Sequence, residues 1–595
     1  MWLTKICLPQ YDKNLQCRNE KLENKRNQYR FNHNIIAPLG IVDGLPNKEI
    51  PSLVWVFKLL QVAVALVKNA LAARERTAWN FKKYFLPEVF RIKMLIRLLG
   101  LLFSGDPTNF FVAGGTYVVK FLKPGEGIDL QEYNDLFASI PIPKQDLDFQ
   151  TDENFAIMRV AGWNPAVIEG VGELPKNIPF TDKLFKAIPG FKDDSLALAI
   201  KEKRLYIADY KALASLENGY QPNGEKYCYA PIALFAVDKK EKKLMPIAIQ
   251  CGQDPREYPI FTPKSSEWSW KMAKTVVNSA DGNHHELVTH LSRTHLYLEP
   301  FVVATYRQLS ALHPLYRLLV PHFKGTIFIN YLAKAKLIAP GGGVDYLLSG
   351  TIESDAGVAI QSVLDLKFNE SFFPASLKKR NVMDISSLEY YPYRDDGLLV
   401  WNAIENWVRS YLKKFYKTKE EILEDFELQL WAKEISSVTG GRVKDFGEDG
   451  NGKLETFEYL VLTATQIIFT ASAGHSSVNF PQKELMLYAP QVPLALYDEA
   501  PSSNKKYTEE DWIKMLPSLD IASLQLNIGY VLGAIHFTKL GEYPMFWFKG
   551  SVEEKMLDVY QEDLKKVEQI INSKNKTRYP YMFMLPSRLT QSINV

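Results

Sequence analysis

Six of the nine histidines in this 595-residue chain lie between His284 and His322, and their spacing restricts the backbone that can carry them. Within the run His284-His285-Glu286-Leu287-Val288-Thr289-His290, the stretch from His285 to His290 is one residue longer than the HExxH motif, in which histidines four apart share a helix face. Five residues advance an α-helix by ~500°, which leaves the two rings about 140° apart and unable to reach one ion. A π-type turn, closing i to i+5 bonds, returns His285 and His290 to nearly the same face, so a π segment is predicted here. His295 repeats the spacing one turn further on and is expected to support the site. Farther along, His475 and Asn479 are four apart and share a face of a regular helix. Three imidazoles, His285, His290 and His475, with an amide oxygen from Asn479, suit iron or manganese better than a closed zinc site.

Composition narrows the partners. The chain is 46% hydrophobic and 12% aromatic, enough to bury a large core, and its net charge of +3 provides no basic field for a nucleic-acid backbone. Cys7, Cys17, Cys228 and Cys251 form no CxxC pair, so neither a thiolate metal cage nor a disulfide framework is expected. The N-terminus lacks the pattern of a signal peptide, and a cytoplasmic protein is expected. Asp445 and Asp449 open no EF-hand, because Thr456 and Leu460 occupy the twelfth positions where a glutamate is required.

Two segments bear on membranes. Ser52 to Ala73 is apolar apart from Lys58, Gln61, Lys68 and Asn69, which fall on one narrow stripe of a helix. Val89 to Phe103 carries Arg91, Lys93 and Arg97 among apolar residues, the pattern of a helix lying on a lipid surface. Two readings follow for residues 52–103: both helices pack on the protein's own core, or they make peripheral membrane contact. Short β-like runs at Tyr229 to Val237 and Leu244 to Ile249 sit among longer helical patterns at Trp268 to Asn278, His285 to Ser310, Leu399 to Tyr416 and Thr456 to Ala473. The fold is expected to be mainly α with a small β subdomain. An N-terminal extension would cover residues 1–105 and a catalytic domain residues 106–595.

The histidine region HHELVTHLSRTHLYLEPFVVATYRQLSALHPLYRLLVPHF (284–323) is preceded by WSWKMAKTVVNSAD (268–281) and followed by ASAGHSSVNF (471–480). With DENFAIMRVAGWNPAVI (152–168), YPYRDDGLLVWNAIENWV (391–408) and the terminal LPSRLTQSINV (585–595), these blocks resemble the lipoxygenase family over most of residues 150–595. The resemblance implies a large helical catalytic domain holding one non-haem iron, with manganese as the alternative. It places the metal ligands on His285, His290, His475 and Asn479 and on the terminal carboxylate of Val595, where the family usually ends in isoleucine. Gln482 is implied to link the metal region to the substrate pocket through its amide, with His295 also in the supporting layer.

The implied reaction is hydrogen abstraction from the bis-allylic carbon of a polyunsaturated fatty acid, followed by O2 insertion to give a hydroperoxide. No side chain is implied to act as acid, base or nucleophile beyond a hydroxide held by the metal. Phe328 stands where the resemblance places a small residue, alanine or glycine, and is expected to reshape the pocket or the oxygen route. Leu332 matches a leucine that clamps substrate over the metal. The alternatives are a hydroperoxide isomerase forming epoxyalcohols on the same scaffold and a non-catalytic lipid-binding protein. The family's N-terminal β-sandwich, a lipid-targeting domain, is not expected in this chain, and a monomer is expected.

Overall fold

The computed structural model describes residues 6–76, 129–143, 148–222, 224–544 and 546–594. The amphipathic pattern of 89–103 and the boundary between 105 and 106 lie outside the described residues.

Helices dominate, and one central helix organises them. It begins as α-helix at Glu267–His284, continues as π-helix at His285–Leu296 and resumes as α-helix at Tyr297–Gln308. The π segment expected from the five-residue spacing is thus present, and it lies inside a longer helix. Almost every residue of this rod is buried, which requires internal partners for its polar groups. The carboxylate of Asp281 supplies several of them. It pairs with Arg159 at 2.5 Å, accepts from Tyr210 Oη at 2.8 Å and accepts from Asn164 Nδ2 at 2.8 Å. Thr289 Oγ1 donates to Asn164 Oδ1 at 2.8 Å, so this network locks the start of the π segment.

Other helices pack around the rod. The helix Ile352–Asp365 lies against the π segment, and Pro392–Lys413 is flanked by Phe457–Phe469 and Val552–Lys574. Two of these helices are capped by threonine: Tyr459 N donates to Thr456 Oγ1, and Ser354 N donates to Thr351 Oγ1. A further π turn at Thr470–Gly474, which the sequence pattern does not indicate, leads into the short helix His475–Asn479.

The β structure is small. Strands β1 (Phe31–Asn32) and β2 (Ile41–Val42) form a ribbon, and β3 (Glu169–Gly170), β4 (Leu205–Asp209), β5 (Ile232–Val237), β6 (Leu244–Gln250) and β7 (Ile260–Phe261) form an antiparallel sheet in that order. All six residues of β5 are buried. The alternation of a strand divides them: Ala233, Phe235 and Val237 join the main core, whereas Ile232, Leu234 and Ala236 join a second core under Phe185 and Phe191. The Phe155–Phe235 ring stack, with centroids 5.7 Å apart, ties the sheet to the helix Asp152–Ala161.

The N-terminal helix Leu53–Arg76 departs from its expected orientation. Trp55, Leu59, Val62, Leu66 and Asn69 are buried, in steps of four and three that define one face. Asn69 therefore belongs to the inner face, where its Nδ2 donates to Leu136 O and its Oδ1 accepts from the amides of Ser139 and Ile140. The outer face carries Gln61 and Lys68, but also Leu53, Val54, Phe57 and Val64, each at least 60% exposed in the case of the four apolar residues. The apolar character of this segment exceeds what its own core uses.

Candidate metal centre and acyl pocket

Three buried imidazoles converge. His290 Nε2 lies 3.3 Å from His295 Nε2 and 3.4 Å from His475 Nε2, and His475 Nε2 lies 3.2 Å from His295 Nε2. Among the described residues they form a group able to hold a metal ion. His290 and His295 share a face because the π-helix repeats every five residues. His475 approaches from the helix His475–Asn479, aimed by the π turn before it.

The outer ring nitrogens fix what the inner ones present. His295 Nδ1 is 2.9 Å from Asn330 Oδ1, and His290 Nδ1 is 3.3 Å from Glu286 Oε2. Both neighbours are acceptors, so both Nδ1 atoms carry the proton and both Nε2 atoms keep a lone pair. Burial pushes His295 down to about 3, helped by His290, and drives His475 well below its ordinary value. His290 and His295 thus aim lone pairs at each other, a repulsion that an ion held between them and His475 would relieve. The donor set therefore fits a metal.

Supporting residues are themselves held. Asn330 Nδ2 donates to His295 O at 3.1 Å and to Glu299 Oε2 at 2.7 Å, and Glu299 Oε1 accepts from the Val42 amide at 2.9 Å. Burial opposes ionisation of Glu286, but the His285 and His290 rings beside it outweigh that penalty and hold the carboxyl well below the usual carboxylate range.

The structure redraws the expected histidine set. His285, expected as a ligand, stands outside the triangle: its Nε2 is 2.7 Å from Val478 O, an acceptor that requires the proton on that nitrogen. His295, expected as a supporting residue, takes the third corner. Asn479 is buried beside His290, with its Nδ2 donating to Leu532 O at 2.9 Å and its Oδ1 accepting from Gln482 Nε2 at 3.2 Å. Val595 lies outside the described residues. Glu286 and Asn330 carry roles that the histidine spacing does not announce, although Glu286 is four residues before His290 and Asn330 closes the segment GTIFIN.

An apolar pocket adjoins the triangle. Its walls include Leu337, Val344, Leu347, Met486, Leu494, Ile528 and Leu532, with Glu286, Gln482 and Gln525 as polar members. Glu286 connects it to His290, and Gln482 connects it to Asn479. The helix Leu519–Ala534 forms one wall and can approach Pro481–Leu485 because a Cβ on Gly533 would meet Lys483 Cβ at 2.5 Å. Phe328 and Leu332, expected as substrate contacts, are not among these walls. Phe328 is two positions from Asn330, about 200° around the helix Thr326–Leu332, so with Asn330 turned to His295 its ring faces away. That ring packs edge-on against Trp55, centroids 5.5 Å apart. Leu332 is buried at the end of the same helix.

A lipoxygenase family profile matches residues 135–580. The chain belongs to the lipoxygenase family. It is 36% identical to the linoleate 9/13-lipoxygenase of Pseudomonas aeruginosa over 641 residues, covering 99% of this chain and 92% of that one. It is 30% identical to the human hydroperoxide isomerase ALOXE3 over 451 residues, 75% of this chain and 62% of that one. The crystal structure of an anaerobic Delta413-417:GS LOX complex with arachidonate matches with a TM-score of 0.84 at 26% identity, covering 99% of this chain and 83% of that one. The expected mainly helical catalytic fold is thereby established, and this lipoxygenase is a fatty acid dioxygenase.

Proposed function

We propose that this lipoxygenase holds one iron ion on His290, His295 and His475, beside Asn479, and binds a polyunsaturated acyl chain in the adjoining apolar pocket. The single observation that carries the reading is the triangle of Nε2 atoms with edges of 3.2 to 3.4 Å. Imidazole nitrogens and a weak amide oxygen favour an intermediate metal such as iron, with manganese as the alternative. When bound, iron supplies the one-electron chemistry that removes a hydrogen atom from a bis-allylic carbon.

The chain's own residues do the rest. Glu286 and Asn330 hold the protons of His290 and His295 on the outer nitrogens, so the inner ones stay available for ligation. The Gln482 amide donates to Asn479 Oδ1 and orients that side chain. Met486, Leu494, Ile528 and Leu532 exclude water and hold an extended chain by contact, which sets which carbon faces the metal. With linoleate or arachidonate, O2 uptake should accompany a conjugated-diene hydroperoxide, and iron should be stoichiometric. Conversion of added hydroperoxides to epoxyalcohols without O2 uptake would instead favour the isomerase reading that the ALOXE3 relative represents.

We also propose peripheral contact with lipid surfaces through the outer face of Leu53–Arg76. Its exposed Leu53, Val54, Phe57 and Val64 support this reading. The same helix packs on Leu519–Ala534, which walls the pocket, so lipid contact and substrate entry would lie on adjacent elements.

A further inference from the structure

The N-terminal helix reaches across to the end of the described chain. Trp55 Nε1 donates to the main-chain oxygen of Asn594 at 2.7 Å, and the indole is buried. The segment that receives this bond is tied to the helix that carries His475 and to the start of the helix whose Asn330 meets His295. Thr590 N donates to Ser476 Oγ at 3.1 Å, one residue from His475. Thr326 Oγ1 donates to Ile593 O at 3.1 Å, and Ser592 Oγ donates to Lys324 O at 2.7 Å. Gly325 adopts φ +90°, and a Cβ there would stand 2.9 Å from Asn594 Cβ. Only glycine lets the tail lie directly on the start of the helix whose Asn330 orients His295.

We propose that Trp55 is a positioning residue for the metal centre: its indole N–H holds the tail Leu589–Asn594 against the His475 helix and the Thr326–Leu332 helix together. The inference rests on the metal reading above. The bond is buried, so its loss leaves the Asn594 carbonyl without a donor from Trp55 and loosens a tail that braces the His475 helix and the helix whose Asn330 orients His295. The edge contact with Phe328 adds packing, but the N–H supplies direction.

Trp55→Phe keeps an aromatic ring against Phe328 and removes only the donor. Iron-loaded wild type and W55F are challenged with a chelator, and iron loss is followed together with the ferric electron paramagnetic resonance signal. W55F should lose iron about tenfold faster, the scale of a buried hydrogen bond, with altered rhombicity and unchanged circular dichroism. Trp55→His, which restores an N–H donor, should recover retention. Equal rates and identical spectra for wild type and W55F overturn the proposal. A wild type without stoichiometric iron overturns instead the metal reading beneath it. Hydrogen exchange on the unsubstituted enzyme gives an independent check: stripping iron should lower protection in 53–60 together with 589–594, and an unchanged N-terminal helix overturns the coupling.

Discussion

His290 Nε2 and His475 Nε2 lie 3.4 Å apart although 185 residues separate them in the chain. Neither helix alone brings a pair of nitrogens to this point from both sides. The π repeat places His295 beside His290, the π turn Thr470–Gly474 leads His475 to both, and Asn330 and Glu286 decide which nitrogen of His295 and of His290 faces inward.

The triangle separates two histidines that are alike in sequence. His295→Ala should abolish stoichiometric iron and reduce turnover by at least 100-fold, the scale on which metal sites fail when a ligand or its support is removed. His285→Ala should retain iron, with a loss of stability of about 1–3 kcal/mol from the unpaired Val478 carbonyl. Metal analysis of both purified variants checks the pair, and iron lost from H285A but kept by H295A would reverse the assignment.

His322 anchors the tail, its Nδ1 2.8 Å from Gln591 O and its Nε2 3.0 Å from Tyr543 Oη. Burial pushes it down to about 4, against 6.5 ordinarily. Between those values the unfolded chain binds a proton that the folded chain refuses, so stability present above pH 6.5 is lost as pH falls toward 4. The contribution is about 3 kcal/mol. Denaturant unfolding of the iron-loaded enzyme should show a shallower acid decline in His322→Gln, and parallel curves would refute it.

Asp355 has the opposite sign. Its two carboxylate oxygens are buried without a hydrogen-bond partner among the described residues, and burial pushes the group up to about 7. From pH 3.8 to 7 the folded chain keeps a proton the unfolded chain has released, so stability falls across that window and stays lower above it. Asp355→Asn should be more stable at pH 8 by on the order of 2 kcal/mol and should converge with wild type near pH 4. Melting temperatures at the two pH values decide this, and a gain at both would point to a cause other than ionisation.

The outer face of Leu53–Arg76 should govern lipid partition. A double variant, Phe57→Ser with Val64→Ser, removes two exposed apolar side chains and leaves the buried face intact. Its binding to phosphatidylcholine vesicles should weaken about 30-fold at unchanged iron content, since each side chain contributes on the order of 1 kcal/mol when buried in lipid. Sedimentation with vesicles measures it, and equal partition removes this helix as the contact.

Much of the architecture is legible from residue order. The alternating and continuous apolar runs mark β5 and β6, the helical periods mark the long helices, and the five-residue histidine spacing requires the π segment. What spacing leaves open is the choice between equals. His285 and His290 satisfy the i to i+5 rule as well as His290 and His295 do, and the decision depends on where a helix 185 residues away places His475. Phe328 illustrates the same point: its position in the segment is plain, but its direction follows from Asn330 bonding His295 and from Trp55 on a distant helix. Asn69 reads as part of a polar stripe until Leu136, Ser139 and Ile140 are seen to take all its hydrogen bonds.

Trp55 and its acceptor Asn594 are 539 residues apart. A ribosome delivers the indole long before the carbonyl exists, so for nearly the whole of synthesis the N-terminal helix has no access to this anchor, and closing so large a loop is among the last events of folding. On the proposed metal reading, a chain lacking 589–594 should therefore retain its helical body and lose the brace on the His475 helix.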